Sequence, residues 1–389
     1  MNIYLDNSAT TKICPEALQK YIDVSQNTFG NPSSLHGMGV NAEKELNTAR
    51  NEILNSLKDK NAEIVFTSSG SEANNLAILG RALSKERYKK GAKIITTDSE
   101  HASVSSPIEK LSEMGFKIAR IPTKIGVVDL EALEKEMTSD VILVTVMMVN
   151  NETGALYDIS SIASIMRANS PDAYLHVDAT QSYLKIPFTK KSLGADMITI
   201  SSHKIEGPKG VGALVIDPAV LKSRGLSAIV FGGGQEKGLR SGTENVPGIA
   251  AFGEAVRIGF PLINDHYEKT NSLRSYLIKK ISEDEVLSSI SITDPKSHAP
   301  HIINLTLPAI RSETMLHYLS SLGIFVSSGS ACSSNSNSIS SALTAYGRSA
   351  AEADSSIRIS FSHRNEFSDV DALSDALKSG ITRLARAKR

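Results

Sequence analysis

Short apolar runs rich in β-branched residues alternate with stretches of helical spacing along the first two thirds of the chain. Glu63 to Ser69 (EIVFTSS) precedes the helix-like GSEANNLAILGRAL, and Lys93 to Asp98 precedes SVSSPIEKLSEMG. KIARIP leads into DLEALEKEM, and Val141 to Val149 (VILVTVMMV) leads into DISSIASIMRA. Tyr174 to Asp178, Ala195 to Ser202 and Gly210 to Ile216 follow in close succession. Strands alternating with helices in this way predict βαβ units on a mostly parallel sheet covered by helices, an α/β fold. The unbroken apolar run Val141 to Val149 predicts a strand covered on both faces. After about Phe260 the texture changes. A long helical pattern from Leu262 to Asp284 comes first. IINLTLP, a helix around Glu313 to Leu322, IFVSS, SIRISFS and a last helix from Asp369 to Arg386 then predict a smaller α+β domain.

The length of 389 residues predicts two or three domains. Lys and Arg total 42 and Asp and Glu total 42, so the formal charge balance is zero. Generic nucleic-acid binders and binders of acidic membranes need a positive surplus, so neither partner is expected. Val141 to Val149 is too short to span a bilayer, which takes about 20 residues. The opening MNIYLDNSATT has neither the basic start nor the apolar stretch of a signal peptide. Together these predict a soluble, cytoplasmic protein. The two cysteines, Cys14 and Cys332, lie far apart and form no CxxC pair, so neither a disulfide framework nor a metal site built by this chain alone is expected. Each is first read as a small buried hydrophobe. Between Ser327 and Ser341 nine of fifteen residues are Ser, which predicts a mobile loop.

Polar clusters follow the predicted strands: TSSGSEAN, DSEH, NNETG, DATQS and SSHK. Ligands of parallel α/β sheets sit at the carboxyl ends of strands, so five such clusters predict one shared site. Lys204, in SSHKIEGPKG, ends an apolar strand before a Gly/Pro turn. At a pocket rim such an amine becomes nucleophilic; a solvated strand-end Lys is the alternative. Asp178 ends a strand expected beside the Lys204 strand. A Schiff-base Lys and an Asp on a pyridinium nitrogen are what a protein supplies to pyridoxal 5'-phosphate. SSGSEANN opens a helix, where Gly70 and Ser71 N–H groups would face a phosphate; an ordinary cap at Ser71 is the alternative. Ser201 and His203 could add donors. His101 could stack on the ring and move protons, and Asn151 and Gln181 are placed for the ring oxygen.

YLDNSATT, GNPSSLHG, FTSSGSEANN, Glu100–His101, NNETG, HVDATQS, SSHKIEGPKGVGAL, FGGGQEKGLRSGTEN, SSGSACSS and SSIRISF together resemble the cysteine desulfurases of the NifS/IscS type, in the class V aminotransferase group. The resemblance runs from about Tyr4 to about Phe361 with the motifs in family order. It implies pyridoxal phosphate fold type I. The large domain would span 16–258, and the small domain 1–15 and 259–389 with the loop at about 327–341. It implies the Schiff-base role for Lys204, the pyridinium partner in Asp178, ring-oxygen contacts from Gln181 and Asn151, and a stacking acid/base in His101. Gly70, Ser71, Ser201 and His203 match phosphate ligands. Thr243 matches a residue reaching the phosphate of the partner subunit, hence a homodimer. Arg358, with Asn151, matches the holder of the substrate carboxylate. Cys332 matches the nucleophile that takes sulfur from L-cysteine and passes it to an acceptor such as an iron–sulfur scaffold or a tRNA-thiolation relay. No metal is implied. That match, with the Ser/Gly surroundings, reverses the first reading of Cys332, whereas Cys14 keeps it. Two departures stand out. Glu206 occupies a place where relatives more often carry an aromatic residue or His, and either alters the pocket charge or points away. SSNSNSIS after Cys332 lacks an apolar–acid–Pro anchor. The rival readings are a selenocysteine lyase or a class V aminotransferase, and, from a different class, a non-catalytic sulfur-relay scaffold.

Overall fold

A computed structural model describes residues 2–84, 92–328 and 340–386. The chain enters through β1 (Ile3–Tyr4) and two helices, Pro15–Asn27 and Gly37–Ser56. The central sheet then collects β2 (Glu63–Thr67), β3 (Lys93–Thr97), β4 (Lys117–Ile121), β5 (Val141–Met147), β6 (Tyr174–Asp178), β7 (Met197–Ser201) and β8 (Gly212–Ile216). Their order is β2-β8-β7-β6-β5-β3-β4. The pairs β3–β4, β3–β5, β5–β6 and β6–β7 are parallel, and β8 runs antiparallel to both its neighbours. The expected mostly parallel sheet is therefore present. β8 is reversed because the link Ser202–Val211 is shorter than a parallel crossover, which takes about a dozen residues.

Side chains alternate across this sheet with the strand period of two. Ile64 and Phe66 of β2 join one core, whereas Val65 between them joins another. The first core takes apolar faces from helices Pro15–Asn27, Gly37–Ser56, Ile159–Asn169 and Val246–Gly259. The second takes those of Gly70–Ala82 and Ala102–Glu113. Every residue of β5 is buried, as its continuous apolar run predicts. The observed strands stop one or two residues short of the sequence ranges at several ends, because the terminal residues belong to the site loops.

The carboxyl-terminal part builds a four-stranded sheet from β9 (Ser291–Thr293), β10 (Ile302–Thr306), β12 (Ser327–Ser328) and β13 (Ser356–Ser360), and a separate two-stranded sheet in which β11 (Ile324–Phe325) joins β1. β12-β13-β10-β9 is antiparallel, and β11 pairs in parallel with β1. Helices Ile263–Glu283, Ser312–Ser321 and Phe367–Arg386 contribute to a third core, which also takes Leu5 from the amino terminus. The helical run Val246–Glu283 is long and apolar enough to cross a membrane by length and composition. The sequence reading, which sought unbroken apolar runs, passed over it. Half of its most apolar window is buried inside the fold.

Candidate active site

The carboxyl ends of the parallel strands open into one cavity of about 330 Å³. It is lined by Gly70, Ser71, His101, Asn151, Asp178, Gln181, Ser201, His203, Lys204 and Arg358. Ten residues predicted from six separate segments thus share one cavity. Lys204 closes the single helical turn Ser202–Lys204 that follows β7. Its Nζ donates to the carbonyls of Ser8 (2.5 Å) and Ala9 (2.8 Å). That amino-terminal segment is held across the site because Thr11 N and Oγ1 both donate to the His203 carbonyl at 2.9 Å.

Asp178 ends β6, paired with β7 as expected. Its Oδ1 accepts from Thr180 N (2.9 Å) and its Oδ2 from Asn74 Nδ2 (2.8 Å). The same Asn74 amide group donates to Ser103 Oγ (2.8 Å), which lies 2.8 Å from His101 Nδ1. Ser103 N also donates to that nitrogen at 3.1 Å, so His101 is the N-cap of helix Ala102–Glu113. Burial lowers the His101 pKa, with Lys204 and Arg358 acting the same way and Asp178 opposing them. A neutral ring whose Nδ1 accepts carries its proton on Nε2. The neighbouring Glu100 is buried, takes Met147 N on both oxygens at 3.0 Å, and burial pushes it up to about 8.

Arg358, on β13, donates from Nη1 to the Asn151 carbonyl and from Nη2 to Asp6 Oδ1, both at 2.9 Å. Its Nε is buried without a hydrogen-bond partner. Burial raises the Asp6 pKa and Arg358 counteracts this. Beyond Asn151, burial pushes Glu152 up to about 7 although Ser340 donates to it at 2.6 Å.

The cavity suits a phosphorylated, ring-shaped cofactor. Helix Gly70–Ala82 points its amino terminus into it, and Ser201 Oγ beside that terminus is buried without a partner. A Cβ on Gly70 would come within 3.2 Å of Thr180 Oγ1 and 3.3 Å of Ser201 Cβ, filling that space. The helix cap is Ser69, whose side chain accepts from Glu72 N at 3.2 Å, rather than Ser71. Ser71 is thereby left at the cavity wall.

Thr243 is exposed and does not line this cavity. Cys332 lies outside the described residues. Cys14 is buried, and burial raises its pKa. Glu206 points away from the site: it pairs with Arg364 through Nε at 2.9 Å and Nη2 at 2.5 Å. Sequence reasoning passed over Asn74, Ser103, Ser8 and Asp6. Asn74 alone carried a signal, a polar residue set among the apolar positions of its helix.

The aminotransferase class-V family matches residues 3–373. A NifS/IcsS protein homolog of Lactobacillus delbrueckii subsp. bulgaricus is 41% identical, over 95% of this chain and 94% of its own. Cysteine desulfurase IscS 1 of Archaeoglobus fulgidus is 37% identical, over 98% and 97%. A solved NifS-like protein superposes with a TM-score of 0.90 at 33% identity, covering 98% of this chain and all of the other.

Proposed function

The chain belongs to the aminotransferase class-V family, as a pyridoxal 5'-phosphate-dependent cysteine desulfurase of the NifS/IscS type, and from that premise we propose how its residues divide the reaction. When bound, pyridoxal phosphate supplies an electron sink for negative charge at the substrate Cα. Lys204 would hold the cofactor covalently, and its Nζ would take and return the Cα proton. Asp178, fixed by Asn74 and Thr180, would keep a proton on the ring nitrogen. Gln181 and Asn151 would meet the ring oxygen. Gly70, Ser71, Ser201 and His203 hold the phosphate, a role supported by the unpartnered Ser201 hydroxyl at a helix amino terminus. His101 stacks on the ring and moves protons through Nε2. Arg358 grips the substrate carboxylate, with Asp6 fixing the guanidinium plane.

The Cys332 thiolate attacks the sulfur of L-cysteine. An S–S bond forms, the carbon–sulfur bond breaks, and the carbon skeleton leaves as L-alanine while a persulfide stays on Cys332. That sulfur passes to an acceptor, which we take to be an iron–sulfur scaffold or a thiolation relay. We further propose a cytoplasmic homodimer in which Thr243 reaches the partner's phosphate. The large domain spans 16–258, and the small domain takes 1–15 and 259–389, a division supported by Leu5 packing among residues 273–381. The observation that carries the reading is the Lys204–Asp178–His101–Arg358 set in one cavity. It is tested by incubating purified protein with L-cysteine. Equal alanine and sulfide are expected with a thiol present, and Lys204→Ala abolishes both. Turnover by Lys204→Ala, or alanine without sulfur release, overturns the assignment.

A further inference from the structure

Lys204 also borders a second cavity, of about 300 Å³, that neither His101 nor Asp178 lines. Lys185 stands on its wall, partly buried, next to Leu184. Lys185 lies four residues after Gln181 in the turn that follows β6. Its Nζ donates to Gln181 Oε1 at 3.4 Å, and Gln181 Nε2 donates to the Ser8 carbonyl at 2.9 Å. That carbonyl is also the acceptor for Lys204 Nζ. The turn is set by Leu184, which holds φ 55° although it is not glycine. Such strain persists only where the surroundings over-determine it, and it gathers at functional sites.

An amide's oxygen and nitrogen have the same shape, so sterics alone does not orient Gln181. Ser8 O only accepts, and a lysine ammonium only donates. A flipped amide would set NH₂ against Lys185 and oxygen against Ser8 O, two unfavourable contacts at once. Burial, with the Lys204 and Arg358 cations, pushes Lys185 down to about 7, while Glu206 opposes the shift. Both of its protonation states keep N–H donors.

We propose that Lys185 is a positioning residue, which fixes the Gln181 amide so that Nε2 faces the cofactor side of the cavity. The inference rests on the reading of Gln181 as the partner of the ring oxygen. The test uses the whole enzyme loaded with pyridoxal phosphate and three variants: Lys185→Met, without a donor; Lys185→Gln, with an uncharged donor; and Gln181→Ala. Lys185→Met is expected to bind pyridoxal phosphate about fivefold more weakly, the size of one net hydrogen bond. It also moves the visible absorption maximum at fixed pH in the same direction as Gln181→Ala. Lys185→Gln restores both readouts, and neither Lys185 variant lowers the melting temperature. An unchanged affinity and spectrum in Lys185→Met overturns the inference. So does an equal loss in both Lys185 variants with a lowered melting temperature, or a Lys185→Met protein that does not fold, since each makes the role structural. If Gln181→Ala alone leaves affinity and spectrum at wild-type values, the reading of Gln181 fails instead.

Discussion

Asn74 carries more of the site than its place in a helix suggests. One amide group reaches Asp178 and, through Ser103, His101, so a single side chain braces both the Asp178 carboxylate and the His101 ring. A hydrogen bond to a charged group contributes about 1.5–3 kcal/mol. Asn74→Ala is therefore expected to weaken pyridoxal phosphate binding by at least about tenfold, read by equilibrium dialysis, and wild-type affinity in that variant would remove Asn74 from the site. The two cysteines separate at the same scale. Cys14 is buried beside Pro15, and burial raises its pKa, which disfavours the reactive thiolate. Cys14→Ser is expected to leave turnover nearly unchanged. Cys332→Ser is expected to bind pyridoxal phosphate and L-cysteine normally but to transfer no sulfur, because a hydroxyl is a far poorer nucleophile. Mass spectrometry after cysteine treatment without reductant decides the matter: an extra sulfur on the Cys14 peptide, and none on the Cys332 peptide, reverses the assignment.

At the scale of elements, Glu100 ties the end of β3 to the end of β5. Its carboxyl takes Thr97 Oγ1 at 2.6 Å and Met147 N at 3.0 Å. Burial raises its folded pKa to about 8 from an ordinary 4.5. A group raised in this way contributes its full stability below pH 4.5 and loses it as pH climbs to about 8. Glu100→Gln does not titrate, so its urea midpoint relative to wild type is expected to rise between pH 4.5 and about 8 and then level off. A pH-independent difference between the two proteins would show that Glu100 is already ionised at neutrality. The strand and helix order was legible in the chain because period-two and period-3.6 patterns are local. Polar clusters at strand ends also located Lys204, Asp178 and His101, because a parallel sheet brings those ends together. What local pattern could not give is pairing across long sequence distance. β1 docks on β11, and Ser8 and Asp6 meet Lys204 and Arg358, through contacts between residues 196 to 352 apart in sequence. The reversal of β8 was legible in principle from its short connection, but alternating strands and helices elsewhere concealed it.

At the scale of the whole molecule, several large apolar side chains lie on the surface of the single chain. Phe231 is 84% exposed, Leu35 99% and Phe29 67%. Phe29 and Leu35 lie in the connection between helices Pro15–Asn27 and Gly37–Ser56, and Met38 and Val40 beside them are also exposed. Phe231 shares its loop with Thr243, and that loop is held in place. Val230 bridges to Arg240, whose Nε donates to Glu72 Oε1 at 2.9 Å in the first turn of helix Gly70–Ala82. A braced loop that exposes a large aromatic ring and carries a residue suited to phosphate, yet leaves Thr243 outside its own cavity, fits a closed two-fold pair in which each copy completes the other. Sedimentation of the wild type is expected to give a dimer. Phe231→Asp should shift it toward monomer, because a carboxylate at the centre of an apolar contact is desolvated without a partner. Its affinity for pyridoxal phosphate should fall together with the loss of dimer and recover at protein concentrations that restore it. Thr243→Ala, by contrast, should remain dimeric and lose affinity for the cofactor alone, by about fivefold for one hydrogen bond. A fully active monomer, or a Phe231→Asp monomer with wild-type cofactor affinity, would show that each chain completes its own phosphate site.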